Sequence, residues 1–310
     1  MSSLSTTRLA PSPTGALHLG NARTFLINWA LARQDGWRVV MRIEDLDTPR
    51  VKPGAEAQCL DVLAWLGLTW DWPVTRQSDD LTPYTDAMRA LASEGMAYPC
   101  DLTRSQIEAA ASAPQEGTLD TPLAPQRPRC PVPFDDPARN WRFATPRGSV
   151  AFDDACAGSQ SHDPSQEAGD FVVWTKRGQP AYQLAVIVDD ARQGITHVVR
   201  GDDLLPSTAR QLAIAHALDL DWSPTFIHLP LVRGEDGRRL AKRHGDTRID
   251  TYRERGVRPE RIIALLAKWS GVPDPPERMT AKAFADAFDL SRLPREPVRF
   301  TQEDDAWLLD

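Results

Sequence analysis

The chain has 310 residues, of which 41% are hydrophobic and 25% charged, and a net charge of −7. That composition suits a globular protein with a sizeable core in one to three domains, and excludes a disordered chain. The acidic balance argues against diffuse binding of nucleic acid, so any such partner has to be met by a local basic patch.

No apolar run approaches the ~18 residues of a membrane-spanning helix, so no membrane partner is expected. The opening "MSSLSTTRLAPSP" has no apolar stretch of the kind a secretory leader carries. Cys59, Cys100, Cys130 and Cys156 are widely spaced and form no Cys-x-x-Cys pair, which fits reduced thiols and a cytoplasmic setting.

In chain order, the ordered part starts at "RLAPSPTGALHLGNARTFL", residues 8–26, a Pro- and Gly-punctuated turn carrying His18. A helix follows over 21–34, with Ala22, Phe25, Leu26, Trp29 and Ala30 on one face. The helix start has free N–H groups and a positive dipole end, a ready site for phosphate, and Gly20 would let a ligand approach the backbone. Taken alone, the stretch reads first as an ordinary turn with a satisfied surface or core histidine. "GWRVVMRIEDLD" (36–47) reads as a turn, a short buried strand and an acidic strand end. "GAEAQCLDVLAWLGL" (54–68) reads as a second helix and "TPYTDAMRALASEGMAY" (82–98) as a third. Strand and helix alternate here, the pattern of an open parallel sheet.

The texture then changes. Residues 112–140 are rich in Pro, Ala, Gln and Asp, and form the loop-rich part of an insertion over roughly 100–170. "NWRFATPRGSVAFDD" (140–154) predicts two short strands. The α/β pattern resumes over 171–205, where Tyr182 is read as opening a strand that leads to Asp189 and Asp190. A helix over 206–220, a strand over 225–232, a basic loop over 233–249 and a mostly helical tail over 250–310 complete the chain.

Three clusters fall at strand ends or in the loops after them, where open α/β sheets bind ligands. They are Arg8 with His18 and the 20–24 helix start; Glu44, Asp45 and Asp47 of "RIEDLD"; and Arg200, Asp202 and Asp203 of "VVRGDDL". The loop "GRRLAKRHG" adds Lys242 between Arg238, Arg239 and Arg243. Singly, acidic strand ends cap helices and basic loops are solvated. Their recurrence at strand-to-loop switches favours a site.

"RLAPSPTGALHLGN" resembles the first signature of the class I aminoacyl-tRNA synthetases, in the form used by the glutamate enzymes. "RLAKRHG" (239–245) resembles their second signature, and "RIEDLDTPR" and "VVRGDDL" stand in the expected order between them. The resemblance covers roughly residues 8–250 and is weakest over 101–140. It implies a Rossmann-type parallel sheet split by an α+β insertion. The boundaries are then 1–99 for the first half of the catalytic domain, 100–170 for an acceptor-binding-like insertion, 171–249 for the second half, and 250–310 for a helical stem-contact-like region. The chain ends at residue 310, 65 residues past the second signature; this leaves no room for the anticodon-binding domain of a full glutamyl-tRNA synthetase. The resemblance is therefore to the truncated branch, the glutamyl-queuosine tRNA(Asp) synthetases.

That branch activates L-glutamate with ATP, without tRNA, and transfers it to the queuosine base in the anticodon of tRNA(Asp). The alternatives are a truncated ligase that charges a tRNA 3′ end and a non-catalytic tRNA- or glutamate-binding relative. The implied amino-acid site is Arg8, Ala10, Ser12, Glu44, Tyr182 and Arg200. Arginines suit two carboxylates and Glu44 suits the ammonium, with the assignment of each arginine to the α- or γ-carboxylate left open. The implied ATP site is His18, Gly20, Asn21 and Lys242, with His18 and Lys242 catalytic. Mg2+ is expected with ATP. The partners are L-glutamate, ATP and the anticodon arm of tRNA(Asp) carrying queuosine, bound by a monomer through loop 233–249 and the basic run "YRERGVRPER" (252–261). Relatives often carry a zinc site, but here Leu102 and Gln126 stand at two ligand positions. Cys100 and Cys130 alone do not make a four-ligand site, so no zinc is expected.

Overall fold

The structure is a computed structural model and describes residues 4–102, 127–238, 240 and 247–310. Strand β1 (Thr6–Leu9) runs into the signature turn and helix α1 (Leu19–Gln34). Strand β2 (Arg38–Ile43), helix α2 (Ala55–Trp65) and the short strand β3 (Thr75–Arg76) follow. The three strands form a parallel sheet in the order β1-β2-β3, with Arg8 opposite Val40 and Arg42 opposite Thr75. Every residue of β1 is buried, as is β2 from Val39 onward, which is why β2 carries the run "VVM" rather than an alternating pattern.

Helix α3 (Thr82–Ser93) is shorter than the 82–98 helix the sequence predicts, because the chain turns at Gly95 with φ +69°, a conformation that glycine adopts without strain. It then enters strand β4 (Ala97–Pro99). Strand β5 (Trp141–Phe143), strands β6 (Val150–Asp154) and β7 (Gly158–His162), a single helical turn α4 (Pro164–Glu167), and strands β8 (Phe171–Thr175) and β9 (Gln179–Pro180) complete the middle of the chain. Strands β4, β5, β8 and β9 make an antiparallel sheet.

The predicted strand from Tyr182 to Asp190 is a helix, α5 (Tyr182–Arg192). Its residues 184–190 are all buried, Asp189 and Asp190 included. A helix buried all round shows no apolar stripe, so its run of Leu, Val and Ile imitates a buried strand.

Strand β10 (His197–Gly201), helix α6 (Leu205–Ala217) and strand β11 (Thr225–Leu229) follow, with β10 and β11 parallel. Strand β10 lies along β1: Thr196 N–H donates to Thr6 O at 2.9 Å, and the Thr7 hydroxyl donates to His197 O at 3.0 Å. Strand β6 joins the other side of β11 in parallel, Phe226 opposite Asp154. The chain thus leaves a parallel sheet, builds an antiparallel one, and returns. Short strands β12 (Val232–Arg233) and β13 (Val298–Arg299) pair with each other. Helices α7 (Ile249–Glu254), α8 (Pro259–Trp269), α9 (Ala281–Ala287) and α10 (Gln302–Leu309) form the tail, as the sequence predicts.

One apolar core joins α1, α2, β1 and β2 to α8 and α9, with Leu26, Ile27, Leu63, Leu266 and Phe284 at most 1% exposed. A second core fills the space between α3, α5 and the antiparallel sheet around Tyr84, Met88, Trp141 and Phe143. The cationic strand ends lie between these two anchored blocks. No described helix is long and apolar enough to cross a membrane.

Candidate active site

The parallel strands end on a cleft of about 280 Å³. Arg8 enters it from β1 and Ala10 from just after it, Glu44 from just past β2, Tyr182 from the start of α5, and Arg200 from β10. His18, Gly20 and Asn21 line it from the start of α1. Ser12 is exposed and is not among the lining residues. Lys242 and its neighbours Arg239 and Arg243 lie outside the described residues. The flank of that loop is anchored beside His18: Leu19 N–H donates to Thr247 O at 3.0 Å, and Arg248 bridges His18.

His18 is the N-cap of α1. Its Nδ1 accepts from the backbone N–H of Gly20 at 3.2 Å and of Asn21 at 3.4 Å. A ring nitrogen that accepts is unprotonated, so in the neutral ring the proton sits on Nε2. The helix N-terminus therefore spends two N–H groups on the imidazole, whose residue also lines the cleft. A Cβ at position 20 would stand 3.1 Å from His18 Cε1, so glycine there makes room for the ring itself.

Behind the lining lies a buried ionic layer. Arg8 Nε donates to Asp190 at 3.2 Å, and Arg42 Nη1 reaches the same carboxylate at 2.7 Å. Arg42 also pairs with Glu44 at 3.1 Å and approaches Asp189 at 3.8 Å. Asp189 accepts from Tyr84 at 2.9 Å and from Gln77 at 2.8 Å. Burial alone would raise the Asp190 carboxyl, but the Arg8 and Arg42 guanidiniums outweigh it and hold it below the usual carboxylate range. At Glu44 burial wins over Arg42 and Arg8, and its carboxyl is pushed above that range.

On the facing strand, Arg200 is 5% exposed. Its Nε donates to His228 Nε2 at 3.0 Å and its Nη2 to Thr208 Oγ1 at 2.8 Å. Its buried Nη1 has no hydrogen-bond partner among the described residues. A buried, unpaired guanidinium nitrogen on a cleft wall is a vacancy for an anion. Burial lowers the Arg200 pKa. Arg23 also lines the cleft; it donates to Pro230 O at 2.7 Å and Trp269 O at 3.2 Å, and burial pushes its pKa down to about 10.

The residues that hold this arrangement without being singled out in the sequence are Arg42, Arg23, His228, Thr208 and Asp154. Arg42 left a signal: a cation inside the apolar run "VVMRI" needs a buried anion. His228 and Thr208 left none, because their partners are remote in sequence.

Cys100 is buried in a small cluster with Tyr98, Ala144 and Leu102, and Cys130 is exposed. Gln126 lies outside the described residues. No group of three or more His, Cys, Asp or Glu able to hold a metal occurs among the described residues.

The cleft lies at the carboxyl ends of a parallel sheet under a histidine-capped helix, lined by Arg8, Arg23 and Arg200 and by the carboxylates of Glu44 and Asp203, and the chain is a ligase of the aminoacyl-tRNA synthetase type. The chain belongs to the class I tRNA synthetases of the glutamate and glutamine group, whose catalytic domain it matches over residues 5–307. It is 45% identical to a Glutamyl-Q tRNA(Asp) synthetase of Symbiobacterium thermophilum, over 96% of each chain. It is 44% identical to one of Rhodopirellula baltica, over 96% of this chain and 97% of the other. A solved structure, a glutamate tRNA ligase from Elizabethkingia meningosepticum in complex with its amino acid, superposes with a TM-score of 0.81 at 28% identity, covering 99% of this chain and 69% of that one.

Proposed function

We propose that this enzyme activates L-glutamate with ATP, in the absence of tRNA, and transfers the glutamyl group to queuosine in the anticodon of tRNA(Asp). The observation that carries the amino-acid assignment is the buried Nη1 of Arg200, which has no hydrogen-bond partner among the described residues, on a side chain that lines the same cleft as Arg8 and Glu44. Two guanidiniums suit two carboxylates, and one carboxylate suits an ammonium. Tyr182, 42% exposed at the mouth, offers its hydroxyl to a substrate carboxylate.

In the first step a carboxylate oxygen of glutamate attacks the α-phosphorus of ATP, the bond to the bridging oxygen breaks, and pyrophosphate leaves. The protein supplies no nucleophile. It orients the two substrates and neutralises charge that grows on the phosphates. In this reading His18, Gly20 and Asn21, which line the cleft, meet that charge, and Lys242 of the second signature adds a cation to it. Magnesium arrives with the nucleotide. In the second step a queuosine hydroxyl attacks the acyl carbon of the adenylate, and AMP leaves.

The choice of acceptor follows the similarity to the queuosine enzymes. Identity is 44–45% with those relatives and 37% with a glutamate–tRNA ligase of Nitrosomonas europaea, of which the chain covers 65%. Within the basic run 252–261, Arg253 already pairs with Asp61 and stacks on Trp65, and Arg261 is bound to Trp307 O. Arg255 and Arg258 are the exposed cations left for phosphates. The test is ATP–pyrophosphate exchange without tRNA: glutamate should support it, and its absence would overturn the proposed reaction.

A further inference from the structure

We propose that His228 is a positioning residue for amino-acid recognition: Asp154 fixes its ring so that the ring nitrogen and the Thr208 hydroxyl together lock Arg200, with Nη1 left for a substrate carboxylate. The inference rests on the reading of the cleft as the glutamate site.

The argument begins with register. Strands β10 and β11 place Arg200 directly opposite His228. The side chains of His228 and Asp154 are both fully buried, with Nδ1 at 2.6 Å from Asp154 Oδ2. Asp154 also accepts from the backbone N–H of His228 at 3.0 Å, Cys156 at 2.9 Å and Ala157 at 2.7 Å. Burial would raise its carboxyl, but the His228 hydrogen bond and those backbone donors hold it below the usual range, so it is ionised and can only accept. The His228 proton therefore sits on Nδ1, and Nε2 is left with a lone pair.

That lone pair accepts from Arg200 Nε at 3.0 Å, and the Thr208 hydroxyl, 3.2 Å from the same nitrogen, accepts from Arg200 Nη2 at 2.8 Å. The charged groups facing the ring are Asp154 from β6, Arg200 from β10 and Arg8 from β1. Burial lowers the His228 pKa more than Asp154 raises it. A second proton on the ring would abolish the acceptor and set a cation against two guanidiniums. The fork of Arg200 is thus held through two of its nitrogens by neutral acceptors, which position it without consuming its charge. An acid in place of His228 would neutralise Arg200 and compete with the substrate.

Three variants test this in glutamate-dependent pyrophosphate exchange. His228→Phe keeps a ring beside Phe226 and removes the acceptor; His228→Gln restores an acceptor near Nε2; Thr208→Val removes the second. In His228→Phe the glutamate KM should rise at least about tenfold, the loss expected for one hydrogen bond to a charged group, while the ATP KM stays within about twofold. His228→Gln should recover most of that loss, and Thr208→Val should raise the glutamate KM by a similar factor with ATP KM unmoved. An unchanged glutamate KM in Thr208→Val, or equal rises in both KM values, overturns the assignment, even if His228→Phe does not fold. Lack of exchange by the wild type would instead remove the glutamate reading on which the inference stands.

Discussion

Under the proposed mechanism His18 has two separable roles, and two substitutions divide them. Nδ1 caps α1 through Gly20 and Asn21, and the Nε2–H is set against the reacting phosphate. His18→Ala removes both. Loss of an N-cap costs about 1 kcal/mol, which lowers the melting temperature by roughly 2 °C in a chain of this size. Asparagine is among the best N-cap residues, so His18→Asn keeps an acceptor for the same two N–H groups and should melt within roughly 1 °C of the wild type. It cannot reach the nucleotide. Removal of one donor to transition-state charge is worth about 3 kcal/mol, on the order of a hundredfold in kcat. Both variants should therefore lose exchange activity by that factor, while only His18→Ala loses stability. The assay is pyrophosphate exchange at saturating glutamate and ATP, paired with thermal melts. Wild-type kcat in His18→Asn would show that Nε2–H does not meet the reacting phosphate. Equal melting of His18→Ala and wild type would show that the cap is not formed in solution.

Other expectations follow from the same geometry. Glutamine, with an amide in place of the γ-carboxylate, removes a charge-assisted hydrogen bond to one of the two arginines, a loss of about 1.5–3 kcal/mol; exchange rates for glutamine within threefold of glutamate would refute the two-arginine assignment. Glu44 is a carboxyl raised by burial, so it takes up its proton at a higher pH than an ordinary carboxylate. Its grip on the ammonium is complete above that raised value and fades as pH falls through it. The glutamate KM should climb on the acid side before ordinary carboxylates titrate, and a KM flat across that range would exclude Glu44 as the ammonium partner. With Leu102 beside Cys100 and only Cys130 remaining of the other pair, elemental analysis of the purified protein should find well under one zinc per chain; a stoichiometric content would mean that other residues complete the site.

The parts legible in sequence were those set by local pattern. Strand β2, α1, the helical tail and the clusters at strand ends follow from apolar runs and Gly/Pro punctuation, whereas β1, with the sequence TTRL, carries no such run. The Glu44 and Arg200 positions were visible because each stands at the end of an apolar run, where open sheets bind ligands; Arg8 was visible at the head of the first-signature turn. Helix α5 was not legible, because burial on every side removes the stripe that marks a helix. The ring orientation of His18 was also hidden: the sequence presents it as a donor beside a phosphate site, and only the backbone geometry shows that one nitrogen is consumed as a cap. The support behind Arg200 was invisible for a third reason. Asp154, His228 and Thr208 lie in three different segments, and only the pairing of β10, β11 and β6 brings them together.

The central claim is that glutamate goes to a modified anticodon base. Its most direct measurement uses purified tRNA(Asp) with and without queuosine, both with intact 3′ ends, together with radiolabelled glutamate and ATP. The account predicts transfer to the modified tRNA alone, with the label in the anticodon-loop fragment after nuclease cleavage. Equal labelling of the unmodified transcript, or label on the terminal adenosine, would contradict it and identify a ligase that charges the 3′ end.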